Sequence, residues 1–169
     1  MITALLSTPE YIRASLAHAP GDTTKAIAKK LERQAVLYDT AKSFSFVLTE
    51  SAVRLPLVSP AVMALQLDRL ASLSYLSNIQ LGIIPVTERP PRGPLNTFTV
   101  YDERLVTAET FTGAVVMRDP RDVAFHIDLF NRFAGIAQFG DAARERLAEW
   151  ATDFRRLTYA RTGIALDVR

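Results

Sequence analysis

The chain contains no cysteine, only two histidines and no long apolar run, and each of these absences excludes a class of protein. Without cysteine there is no disulfide, no thiolate nucleophile and no cysteine-ligated zinc. His18 and His126 fall on separate predicted helices without ligand spacing, so we expect neither a metal site nor a cofactor. No segment approaches the roughly 18 apolar residues of a membrane span. The N-terminus lacks the early positive charge of a signal peptide, which favours a cytoplasmic protein.

The charge of the chain is almost balanced. Twenty Lys and Arg residues stand against 18 Asp and Glu residues, and the formal net charge is +2. Nucleic-acid-binding domains usually concentrate basic residues on one face. Here the arginines near the C-terminus are interleaved with acids, so we interpret them as a solvated helix face, with a phosphate or partner contact as the alternative.

Pairs of a capping residue and a proline predict three helix starts. The capping side chain accepts hydrogen bonds from free N–H groups, and proline suits the first helical position. The pairs are Thr8-Pro9, Ser59-Pro60 and Asp119-Pro120. Two more helices are predicted to begin near Asp22 and after Gly140.

Apolar residues at helical spacing predict which helix faces are buried. In the second helix this buried stripe consists of Ile27, Leu31, Ala35 and Tyr38. The helix from Ser59 to about Leu76 is apolar almost all round, Leu65 included, and is therefore expected to be deeply packed.

Five short segments carry the pattern of β-strands. They are Ser43–Thr49, Asn78–Val86, Thr97–Tyr101, Arg104–Thr110 and Ala114–Met117, and the last three are separated by tight turns. We predict an α+β fold, with a mixed, mainly antiparallel sheet of about five strands and helices at both ends of the chain. The 169 residues are most simply a single domain with a helical entry at 8–39, an α/β core at 43–118 and C-terminal helices at 119–162.

Catalytic motifs such as GxSxG, HExxH and the P-loop do not occur, so we expect no enzyme. Two acids still need an explanation: Glu50 closes the first strand and Glu109 lies late in the fourth. Paired carboxylates could serve a hydrolase if burial separated their pKa values, or they could bind an amine or a partner arginine. Alternatively, Glu50 is a helix-cap acid neutralised by Arg54 one turn later, and Glu109 is a cross-strand charge.

Two further features point to binding. Polar residues, Thr107 and Glu109 among them, recur on one side of the predicted meander, so one sheet face should meet water, a ligand or a partner. In the loop TERPPRGPLN at 87–96, prolines lower the entropy cost of holding Arg89 and Arg92, unless the loop is only a rigid connection. The candidate binding residues are therefore Glu50, Arg54, Thr107, Glu109, Arg89 and Arg92.

Four segments resemble a known family in their order along the chain. LLSTPEYIRASL (5–16) and RQAVL (33–37) resemble its entry helices. Residues 46–86 resemble its hallmark, a strand ending in Glu, a helix with Gln-Leu and an Asn-Ile-x-Leu-x-Ile-x-Pro strand. Residues 105–137 resemble its second half. The family is the domain of unknown function that follows a lambda-repressor-type helix-turn-helix in many bacterial transcription regulators.

The resemblance implies a regulatory sensor or partner-binding domain with no established reaction. Its partner would be a small protein encoded nearby or a small-molecule effector, as in toxin–antitoxin-like pairs, and a homodimer or a purely dimerising module is also possible. The usual helix-turn-helix is missing here, so DNA would be reached only through a separate domain. Family members tend to carry a glycine- and alanine-rich stretch where TERPPRGPLN stands, which favours a role of this loop in specificity.

Overall fold

The structure, a computed structural model, describes residues 1–17, 19, 21–93, 96–110 and 113–162, with side chains to residue 160; His18 lies outside them. The described residues form six α-helices and five strands, which confirms the α+β class. The helices are α1 (Pro9–Ser15), α2 (Thr24–Arg33), α3 (Glu50–Arg54), α4 (Pro60–Leu73), α5 (Pro120–Ala134) and α6 (Gly140–Thr162). The strands are β1 (Phe44–Thr49), β2 (Ile79–Ile84), β3 (Phe98–Tyr101), β4 (Leu105–Thr110) and β5 (Gly113–Met117).

The chain divides into two compact units. Residues 1–83 and 138–169 form the helical unit, and residues 84–137 form the sheet unit. The five strands therefore lie in two sheets, β1-β2 and β3-β4-β5, rather than in one. The sequence between the sheets explains the division, because Pro85, Pro90 and Pro91 lack the N–H group that a continuing ladder would need.

The helical unit is built around α4, which packs along α6. Its core contains Leu67, Leu70, Leu147 and Trp150, all nearly inaccessible to solvent. The predicted caps position these helices: Ser59 accepts a hydrogen bond at the start of α4, and Thr8 and Asp119 do the same for α1 and α5. The three capping-residue–proline predictions are thus confirmed.

A buried amide holds the N-terminal segment onto α4. The Oε1 atom of Gln66 accepts a hydrogen bond from the Thr8 backbone N–H at 2.7 Å, and its Nε2 donates to the Leu6 carbonyl at 2.9 Å. The Gln66 side chain is fully buried, so these two bonds satisfy groups that water cannot reach.

A second glutamine extends this network. Gln34 Nε2 donates to the carbonyl oxygens of Ala4 (2.7 Å) and Ser7 (2.8 Å), while Arg69 Nη2 donates to Gln34 Oε1 at 2.7 Å. Together, Gln34 and Gln66 bind three carbonyls and one N–H of the segment that precedes α1. This segment is part of the hydrophobic core, because its residues Ile2 and Leu6 are buried in the core cluster.

Strand β2 approaches the start of α6 closely at Gly82. A Cβ atom on Gly82 would lie 2.5 Å from Cζ of the Phe139 ring, closer than any real contact. The backbone N–H groups and carbonyls of Ile83 and Gln138 exchange hydrogen bonds of 2.9 and 2.8 Å next to this point. Only glycine allows this spacing between the strand and the ring.

Two predictions of burial are wrong. Ala35 and Tyr38 are exposed, Tyr38 by 60%, because α2 ends at Arg33 and the chain continues as a 3₁₀ helix over Gln34–Tyr38, which changes the side-chain period. Leu65 is 58% exposed although it lies in the mostly apolar helix α4.

We predict that Gln66→Ala will lower the free energy of unfolding by about 2–5 kcal/mol, because it leaves a buried carbonyl and a buried N–H without partners. Urea unfolding followed by circular dichroism measures this change. Gln80→Ala, at an exposed position of β2, is the matched control and should stay within about 0.5 kcal/mol of the wild type. Equal loss in both variants would contradict the role of the Gln66 amide.

We predict that Gly82→Ala will cost about 1–3 kcal/mol through overlap with the Phe139 ring. In the double variant with Phe139→Leu the overlap is relieved, so the two changes should cost less together than the sum of their separate costs. A double-mutant cycle by thermal unfolding measures this coupling. Additive costs would show that the ring does not limit this position.

Candidate partner-binding surface

The sheet unit is an antiparallel meander whose register assigns each side chain to a face. Across β3 and β4, Phe98 pairs with Ala108 and Val100 with Val106. Across β4 and β5, Glu109 pairs with Ala114. Since residues directly opposite each other share a face, these pairs separate the sheet into two sets of side chains.

One face of the sheet is covered by α5. Helix α5 packs on β3 and β4, and Val106 is fully buried between them. The rings of Phe98 and His126 meet edge to face with centroids 5.1 Å apart. His126 is oriented by a 2.7 Å hydrogen bond between Nδ1 and the carbonyl of Asp122; a carbonyl can only accept, so Nδ1 carries the proton.

The cap of α5 is reinforced by charge. The carboxylate of Asp119 accepts hydrogen bonds from the guanidinium and the backbone N–H of Arg121. These bonds hold the pKa of Asp119 below its usual value, the guanidinium contributing most. The cap is therefore ionised throughout the physiological pH range and fixes where α5 begins over the sheet.

The opposite face, which we call the open face, has no helix over it in the described part of the sheet unit. Its side chains alternate with those under α5, and all of them are exposed or half-buried. Tyr101 is 39% exposed and Val116 is 50% exposed. The open face consists of Thr99, Tyr101, Leu105, Thr107, Glu109, Ala114 and Val116. It combines apolar, hydroxyl and carboxylate groups on a scaffold of three paired strands.

Thr107 and Glu109, two of the predicted site residues, lie on this open face two residues apart on β4. The Glu109 side chain is exposed and makes no ion pair within the described part of the chain. The sequence did not predict that Ala114 and Val116 also belong to the open face. Strand alternation predicted the faces of β3 and β4, but the register of β5 was needed to add these two residues.

The hairpin between β3 and β4 closes with two acids in an uncommon backbone conformation. Asp102 and Glu103 have φ values of 46° and 55°, and the Arg104 N–H donates to the Tyr101 carbonyl at 2.8 Å. Positive φ at both central residues is the geometry of the turns that match strand twist. The turn therefore places two carboxylates beside the open face.

The loop arginines lie in the same unit, and one of them has a defined contact. The guanidinium carbon of Arg92 lies 5.6 Å from the centroid of the Phe125 ring on α5, and the ring is about half exposed. Arg89 is exposed. The proline-rich loop is thus held to α5 through a cation–π contact at Arg92.

Glu50 and Arg54 are brought together in the helical unit. Arg54 Nη1 donates to Glu50 Oε1 at 2.8 Å, across one turn of α3. The Glu50 side chain is 9% exposed, and the Arg54 guanidinium carbon lies 5.6 Å from the Trp150 ring centroid. This geometry matches the alternative in which Arg54 neutralises Glu50, and it links α3 to α6.

A shallow depression of about 310 Å³ also lies in the helical unit, beside β2 and the start of α6. Arg144 lines it and stacks on Tyr75 with its guanidinium carbon 4.5 Å from the ring centroid. The same guanidinium bonds to Asp141 at 2.5 Å, while its Nε is buried and has no hydrogen-bond partner among the described residues. The depression is at the small end of ligand pockets.

Neither a metal cluster nor a membrane span is found in the described ranges. No three His, Asp or Glu side chains among these residues converge as metal ligands. No helix formed by the same residues is both long and apolar enough to cross a bilayer.

The family assignment comes from comparison with known protein families. The family model of the domain of unknown function DUF5753 matches residues 1–149. The chain belongs to this family. No curated protein and no solved structure matches it.

The segments that resemble this family have structural roles in the DUF5753 domain described here. Gln34, in RQAVL, and Gln66, in the Gln-Leu segment, are the two amides that bind the N-terminal residues. Tyr11, in STPEY, is fully buried, and burial raises its pKa. These three residues hold the helical unit together, whereas the fourth segment, residues 105–137, lies in the sheet unit and contains β4 and β5 of the open face.

We predict that Phe125→Leu will release the loop of the DUF5753 domain and make trypsin cleave after Arg92 about two- to fivefold faster, because a cation–π contact contributes about 0.5–1 kcal/mol. Phe125→Tyr keeps an aromatic face and serves as the control, with cleavage at the wild-type rate. Limited proteolysis followed by mass spectrometry measures both rates. Equal cleavage rates in the wild type and Phe125→Leu would show that the ring does not hold the loop.

Proposed function

We propose that this DUF5753 domain is a regulatory domain that binds a small partner protein through the open face of its three-stranded sheet. In this proposal the domain acts together with a separate helix-turn-helix domain, which contacts DNA. The partner is a small protein encoded nearby, as the resemblance implies. No reaction is assigned to the domain.

The open face is the observation that carries this proposal. Sheets with one solvated face are usually polar on that face. Here an exposed tyrosine and an exposed valine, Tyr101 and Val116, stand among Thr99, Thr107 and Glu109. Exposed apolar side chains beside hydroxyl and carboxylate groups are typical of the mixed composition of protein interfaces, in which tyrosine is enriched.

Negative charge at and beside the open face would attract a positively charged partner. Glu109 and the turn acids Asp102 and Glu103 are all exposed carboxylates at or beside the open face. A partner with one or more arginines would therefore gain both bidentate hydrogen bonds and electrostatic attraction.

Regulation further requires that the partner bind one state of the regulator more strongly than another.

A small-molecule sensor is the second candidate, and the depression at Arg144 favours it. The buried Nε, which has no partner in the part of the chain that the structure describes, is a donor that a ligand or a water molecule could satisfy. The Nη2 bond to Asp141 already occupies the side of the guanidinium that an anion would bind, which weakens this candidate.

A hydrolase with Glu50 and Glu109 receives less support. The carboxylate of Glu50 is paired with Arg54 at 2.8 Å, which favours its ionised form and leaves it unsuited to donate a proton. Glu109 belongs to the other compact unit and is exposed, whereas a carboxylate pair for acid–base catalysis needs a shared site shielded from water.

We predict that Glu109→Ala and Tyr101→Ala will each keep the fold and reduce the recovery of a small partner protein by about three- to tenfold. The tagged wild-type chain captures the partner from a lysate of its native cells, and quantitative mass spectrometry after a high-salt wash measures recovery. Matched controls are Glu32→Ala and Tyr38→Ala, which make the same changes at exposed positions of the helical unit.

Recovery that falls only with the two open-face variants would support the proposal. Equal loss with Glu32→Ala or Tyr38→Ala would place the binding surface on the helical unit. If the wild type captures no small protein, the partner proposal fails and the sensor with the depression at Arg144 becomes the better candidate.

A further inference from the structure

Among the residues that the structure describes, strand β5 is an edge strand without the usual protection against pairing. It is the last strand of the sheet β3-β4-β5, and Gly113, Ala114, Val115 and Val116 are all exposed. Its five residues include neither a charge nor a proline. Natural proteins normally protect exposed edges with lysine, proline or a covering element, because free N–H and carbonyl groups pair with other strands.

The backbone groups that face outward can be identified from the hydrogen bonding of β4. The Glu109 N–H donates to the carbonyl of Thr97 at 2.8 Å, so the backbone of Glu109 points toward β3. Ala114 lies opposite Glu109 and therefore points its own N–H and carbonyl away from β4. By alternation, Val116 also points outward, and the same alternation continued one residue past the end of β5 at Met117 assigns Arg118 to the outward side.

We propose that β5 pairs with β5 of a second copy of this chain, antiparallel and around a two-fold axis at Val116. In this register Val116 lies opposite Val116 of the second copy, Val115 opposite Met117, and Ala114 opposite Arg118. The outward groups of Ala114, Val116 and Arg118 then form hydrogen-bonded pairs across the axis. The two meanders become one six-stranded sheet with a continuous open face.

Charge complementarity selects the second copy as the occupant. In this arrangement Arg118 of the second copy lies in the same row as Ala114 and Glu109, on the open face. It is separated from Glu109 by two strand spacings of about 4.8 Å each and by only the methyl group of Ala114. Extended arginine and glutamate side chains bridge this distance.

Both groups are available for this contact. Arg118 and Glu109 are exposed, and neither has an ion-pair partner among the described residues. The two-fold axis creates the contact twice. A register displaced by two residues in either direction moves Arg118 out of the row of Glu109, so the charges specify one register out of those that the edge allows.

This inference does not depend on the proposed partner protein, because it concerns the isolated chain. The experiment is sedimentation equilibrium of the full 169-residue chain over a series of concentrations, in the absence of any partner. The monomer mass is 18.7 kDa, and we expect a concentration-dependent increase toward twice this value.

A charge exchange tests the register. Arg118→Glu and Glu109→Arg should each raise the dimer dissociation constant about tenfold, because two attractions become two repulsions. The double variant restores opposite charges and should return to within about threefold of the wild type. Thermal unfolding of each variant confirms that the fold is retained.

Val116→Pro tests the strand edge itself. It removes an outward N–H and leaves the ladder between β4 and β5 intact, so the fold should persist while the dimer is lost. Tyr101→Ala lies on β3, away from the axis, and should leave the dimer unchanged. A wild type that stays at 18.7 kDa at all concentrations would overturn the inference. A dimer that survives Val116→Pro would also overturn it, as would a double variant whose dimer dissociation constant is as high as those of the single variants.

Discussion

The packing of the helical unit depends on two buried amides, one of which accepts a hydrogen bond from the guanidinium of Arg69. Gln66 and Gln34 bind the backbone of the N-terminal segment, and this segment places Ile2 and Leu6 in the core. An amide can donate and accept at the same time without the cost of burying an ion. Because amides do not titrate, the attachment of this segment is insensitive to pH over the physiological range.

The sequence predicted local structure well wherever one residue has one dominant preference. Thr8-Pro9, Ser59-Pro60 and Asp119-Pro120 each mark the start of a helix because capping and proline act over a single turn. Burial was harder to predict. Tyr38 fits a helical stripe, but the change to 3₁₀ geometry after Arg33 leaves it exposed, and nothing in the periodicity of the segment marks that change.

The candidate site shows the same limit. The alternation of β4 predicts that Thr107 and Glu109 share a face, and the structure gives that face a scaffold and adds Val116 from β5. The predicted site residues are divided between the two units, and no pattern in the sequence indicates this division. These residues are Glu50, Arg54, Thr107, Glu109, Arg89 and Arg92. Strand and helix periods identify faces, but which elements pack together depends on contacts between residues far apart in the chain.

The turn at Asp102 and Glu103 holds two side-chain-bearing residues in a backbone conformation with a steric cost. Asparagine and glycine adopt positive φ at little cost, whereas glutamate does so against steric repulsion. The like charges of the two neighbouring carboxylates add to this cost. The tip of the hairpin therefore carries two carboxylates in a conformation that asparagine and glycine adopt more easily, so replacing them with Asn-Gly would relieve the backbone and remove both charges at once.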